Sequence, residues 1–94
     1  MKNIALSAYT AEDIRRKQNA GRRYVIDKVF EEIGRRVEEA ASNNFNGVRV
    51  SFDDEAFEKF NIDDNVMRTV RNRFEVLKFS VHISKFRKYI LIQW

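Results

Sequence analysis

The single histidine of the chain, His82, stands between Ser80 and Ser84 in the stretch "SVHIS". A hydroxyl beside an imidazole is the usual start of an acyl-transfer site. On a strand, however, i and i+2 positions share one face, and no carboxylate is placed here to orient the ring. An ordinary half-exposed strand histidine explains the residue more simply. One imidazole and no cysteine leave no multi-histidine or thiolate metal set within a single chain. Asp53-Asp54-Glu55 and Asp63-Asp64 could hold a divalent cation, but neither has the spacing and glycine of a calcium loop, so they read as helix caps. Three scattered glycines make no phosphate cradle. The inventory predicts no catalytic residue, no metal, no cofactor and no enzyme. Binding is the chemistry that survives.

Cations carry that expectation. "RRKQNAGRR" places Arg15, Arg16, Lys17, Arg22 and Arg23 within nine residues, and Lys85, Arg87 and Lys88 form a second group with Arg68, Arg71 and Arg73. By segment the charge is +4 over residues 1–26, −6 over 27–64 and +6 over 65–94, within a net +4. Either the basic ends bind an anionic partner with salt-sensitive affinity, or they neutralise the acidic middle within the fold or between subunits.

The elements that must position these groups follow from periodicity. Ninety-four residues make one domain, 1–94, and 44 % apolar content with eight phenylalanines is enough to collapse. No apolar run approaches the ~20 residues of a membrane span, and "MKNIALSAYTAEDIRR" holds too short an apolar patch for a secretory leader. A cytoplasmic protein with no membrane partner is expected. Thr10 and Asp13 open a short helix over about Ala11 to Ala20, giving a basic N-terminal helical extension over residues 1–21. Gly21 is a natural break, although a helix running through it would cost only about 1 kcal/mol.

From Arg22 to Ser42, Ile26, Val29, Phe30, Ile33, Val37, Ala40 and Ala41 recur at three- and four-residue steps, one buried helical stripe. Gly34 near that stripe either permits close backbone approach or is a tolerated weak spot. "VRVSF", "FSVHI" and "YILIQW" alternate as strands, the last two as an antiparallel hairpin, and a helix capped by Asp63 or Asp64 carries Val66, Met67, Val70, Phe74 and Leu77. The expected fold is α+β, in the order α-α-β-α-β-β, with a three-stranded mixed sheet and the helices packed on one face. The other face would show Arg49, Ser51, Lys78, Ser80, His82, Tyr89, Leu91 and Gln93. That surface suits a nucleic-acid strand, or subunit pairing centred on Tyr89 and Leu91. Trp94, by alternation, anchors core or interface.

The series "VFEEIGRRVEEAA", an Asn/Gly break, "GVRVSF", "VLKFSV" and a terminal "YILIQW" resembles a loose group of small uncharacterised tailed-phage α+β proteins, over about Val25 to Trp94. The group shares a helix-strand-helix-hairpin frame, a Leu-Gly-aromatic step into the second strand and an Ile-x-Trp ending. Here Lys78 replaces that glycine, which argues against a tight left-handed cap at the step. The resemblance implies a non-enzymatic phage accessory protein in the host cytoplasm. Such a protein would work, as a homo-oligomer, by sequestering or inhibiting a host factor or an anionic, nucleotide-like ligand. A nucleic-acid-binding protein using residues 15–23 and the open sheet face is the first alternative, and a minor virion component the second.

Overall fold

The computed structural model describes residues 10–94; residues 1–9, with the first part of the basic extension and of the leader reading, lie outside the described residues. Ile26, Val29, Ile33 and Val37 are the buried stripe of one helix, α1 (Ala11–Ser42), which is 32 residues long. The expected break at Gly21 is not there. A Cβ built on Gly21 would meet nothing within 4 Å, so the position is an unpacked helical glycine. Strong helix formers flank it, and a helix already nucleated by its packed half propagates through one weak residue. Two expected helices are therefore one, and the order is α-β-α-β-β.

Thr10 caps the start of α1 as its Oγ1 accepts from the Asp13 N–H at 3.1 Å. Beyond α1 come β1 (Gly47–Ser51), a 3-10 turn (Glu55–Phe57), α2 (Asp64–Val76), β2 (Ser80–Ser84) and β3 (Tyr89–Gln93). Asp63 caps α2, accepting from the Val66 N–H at 2.9 Å. Gly34 needs no close approach, for a Cβ there also meets nothing. Gly47 does: its Cβ would lie 3.1 Å from Gln93 Cγ and 3.2 Å from the Ile92 carbonyl oxygen.

The two helices end alike. Asn44 (φ 65°) and Lys78 (φ 74°) take the left-handed conformation. The following phenylalanine donates back across the last turn, Phe45 N–H to Ala40 O at 2.9 Å and Phe79 N–H to Phe74 O at 3.1 Å. Companion bonds join Asn44 to Ala41 and Lys78 to Glu75, each at 3.0 Å, completing the paired C-terminal bonds of a left-handed cap. The tight step that the lysine argued against is present, because those returned carbonyls and the buried edge of Phe79 outweigh the strain on Lys78.

The sheet order is β1-β3-β2, and both pairings are antiparallel. The expected mixed sheet is corrected: β3 lies between β1 and β2, which share a direction but do not pair. β3 is the most apolar strand, with Ile90 and Ile92 fully buried, and the central place rewards that. Strands bearing Arg49, Ser80 and His82 fall to the edges, where charge discourages further pairing. Val48–Ile92–Val81 and Val50–Ile90–Ile83 form the rows beneath the helices. Phe57 of the 3-10 turn is 1 % exposed and closes the core beside β1. Phe30, Phe74, Phe79 and Trp94 form a chain of ring contacts with centroids 4.6, 5.6 and 6.2 Å apart.

Candidate anion-binding surface

The first buried residue of α1 is Ile26, with Val25 packed against the core beside it, so Ala11 to Tyr24 rises about 21 Å ahead of the core. This arm carries Arg15, Arg16, Lys17, Arg22 and Arg23. Arg16 is engaged with Glu12 at 3.0 Å and Asp13 at 3.7 Å. Arg22 donates to the Asn19 side chain at 3.3 Å. Among the described residues, Arg15, Lys17, Arg22 and Arg23 meet no carboxylate within ion-pair distance. Positions seven apart on a helix point nearly the same way, so Arg15 and Arg22 continue the line of Val29 toward the sheet side. Arg15 and Arg22 therefore lie on the side of the arm where the packed half of α1 turns aliphatic groups.

Lys85, Arg87 and Lys88 lie in the β2–β3 turn. Lys85 reaches Asp64 at 3.3 Å and Lys88 reaches Asp53 at 4.0 Å, both pairs exposed and so weakly held. The turn and the arm share one end of the molecule. Tyr24, at the arm's root, stands edge-on to Phe60 at 6.3 Å, and Phe60 lines a groove of about 260 Å³ with Phe52, Asp53, Asp64, Lys85 and Lys88. The groove thus brings Lys85 and Lys88 within one aromatic contact of Tyr24 at the root of the arm.

The uncovered face of the sheet carries the rows Gly47–Gln93–Ser80, Arg49–Leu91–His82 and Ser51–Tyr89–Ser84. The Arg49 guanidinium lies over the Tyr89 ring at 5.4 Å and the His82 ring is 6.2 Å from it. Tyr89 and Leu91 are half-buried there. Lys78, expected on this face, sits instead in the cap before β2. Trp94 turns to the helix side against Phe79, so it does not join Tyr89 and Leu91 in one patch. Ser80, His82 and Ser84 share the face as expected, and among the described residues no three acids or imidazoles gather as a metal set.

Sequence reasoning missed Arg36. Its i, i+4 spacing from Glu32 suggests only a solvated ion pair, but the side chain also spans to Asp54 at 3.1 Å and lies over the Phe57 ring at 5.5 Å. Hydrogen bonds from Arg35 and then Arg36 hold the Glu32 carboxyl below its ordinary pKa. Arg36 and then the Ala56 N–H do the same for Asp54. Only a partner eighteen residues away reveals this tie, and local spacing gives no signal of it.

Comparison with known proteins found no matching family model, no matching curated protein and no matching solved structure. Among the described residues no helix is long and apolar enough to cross a membrane.

Proposed function

We propose that this protein is a non-enzymatic binder of anionic partners, and that a single nucleic-acid strand is the ligand its surface fits best. The observation that carries the reading is the basic arm at the end of the molecule toward which the β2–β3 turn also points, with Tyr24 at its root 6.3 Å from Phe60 of the groove that Lys85 and Lys88 line. A strand lying along that end would neutralise arm cations with no carboxylate partner and pass toward the open face, where Arg49, Tyr89 and His82 offer charge and stacking. The test is anisotropy of a labelled oligothymidylate across a salt series. The wild-type affinity should fall with salt, with a logarithmic slope of about −0.7 per neutralised phosphate. Arg15→Gln/Arg22→Gln/Arg23→Gln should weaken binding and flatten the slope by about 2 units. Binding indifferent to salt and to the triple substitution would overturn the reading.

A second reading, pairing with another copy or capture of a protein partner, is supported by the opposite end. There Phe45, Val76, Leu77 and Trp94 are all exposed beside the strand starts. The resemblance adds its setting: an accessory protein in the cytoplasm of a phage-infected host. Sedimentation of the wild type against Leu77→Glu separates a self-associating chain, which the glutamate would dissociate, from a monomer.

A further inference from the structure

The β2–β3 turn holds one residue that neither the core nor the basic clusters explain. Phe86 is 94 % exposed, the most exposed large apolar side chain among the described residues. Single exposed apolar residues are common, but this one stands between Lys85 and Arg87-Lys88 at the extremity of a hairpin. The tip is also tied down. Arg87 N–H donates to Ser84 Oγ at 3.2 Å, Lys88 holds φ 53°, and the Lys88 carbonyl accepts from Phe52 N–H at 2.7 Å. These bonds hold the backbone of the turn on either side of Phe86. Tyr89, the next residue, begins the outer-face row with Arg49 over its ring.

We propose that Phe86 stacks on an unpaired base of a nucleic-acid strand whose phosphates are held by Lys85, Arg87 and Lys88. This rests on the anion-binding reading above and names the residue that would read the base rather than the backbone. Every base offers a π face, so one presented ring suits strands of any sequence. A bilayer, the other anionic surface a ring among cations might enter, rewards pooled apolar area. Here the neighbouring exposed groups are Ser51, Asp53 and Asp64, and no second exposed large apolar side chain among the described residues joins Phe86 in such an area.

The experiment uses the same oligothymidylate with Phe86→Ala, Phe86→Leu and, in a Trp94→Phe background, Phe86→Trp. Because the side chain is solvent-exposed, melting temperatures should match their parents. Loss of one base stack should lower affinity roughly 5- to 100-fold in the alanine and leucine variants, with an unchanged salt slope. The introduced indole should keep affinity and be quenched by the strand. Alanine and leucine variants within twofold of a binding wild type would overturn the stacking role while leaving the arm's role standing. A wild type that binds no strand would overturn both. An indole whose emission shifts to the blue with phosphatidylglycerol vesicles, but is unchanged by the oligonucleotide, would overturn it in favour of a lipid surface.

Discussion

Lys78 and Arg36 show how single residues hold this fold against their own preferences. Lys78 keeps φ at 74°, where a Cβ is unfavourable, so Lys78→Gly should stabilise the chain by about 1 kcal/mol, read as a rise in denaturation midpoint at unchanged slope. Arg36, with Glu32 beside it on α1, joins that helix to Asp54 before the 3-10 turn, with its guanidinium over the Phe57 ring. Replacing it with Met removes the Asp54 pair and leaves Glu32 held by Arg35 alone, so the melting temperature near neutral pH should fall. Both carboxyls have pKa values lowered by folding. Their contribution is therefore present above the ordinary carboxylate range, near pH 4, and is lost as pH falls through the lower folded values. The melting-temperature gap between wild type and Arg36→Met should narrow on acidification below about pH 4. A gap that stays constant would show that the ion pairs carry none of it.

Elements repeat the lesson in a different form. The stripes of α1 and α2 up to Val37 and Phe74, the three strands and the caps at Thr10 and Asp63 were legible, because amphipathic period and capping chemistry are local properties, whereas Ala41 and Leu77, expected to extend the stripes, are exposed at the helix ends. What local pattern could not supply was competition between elements. Gly21 looked like a stop because glycine is a poor helix former, yet continuity is decided by the whole helix, whose packed half lies downstream. The place of β3 between β1 and β2 depends on which strand buries most, a comparison across the sheet. Since Gly21 and Gly34 have nothing near a Cβ, alanine at either should raise stability by roughly 0.5–1 kcal/mol in chemical denaturation. Gly47→Ala should do the reverse, because Gln93 and the Ile92 carbonyl crowd that position and must yield.

At the scale of the whole molecule, principal extents of 59 × 26 × 25 Å describe a body with a projecting shaft. The basic residues of the candidate surface were each legible as cations, and the link between their elements was not: Tyr24 at the root of the arm touches Phe60 of the groove that Lys85 and Lys88 line only because the core packs α1 beside the segment after β1. Phe86 gave no periodic signal, since exposure at a turn is visible only once the turn exists. Hydrogen exchange should separate the two halves of α1, with amides over 14–23 exchanging much faster than those over 29–41, which lie over the core. Equal protection would mean that the shaft is held by something beyond its own backbone bonds.

A rod fastened at one extremity loses wandering freedom whenever its loose extremity is gripped, and that loss subtracts from the strength of the grip. Gly21 marks the softest joint along it. Stiffening that joint with alanine should thus tighten capture of a strand, even though the new methyl group touches no ligand.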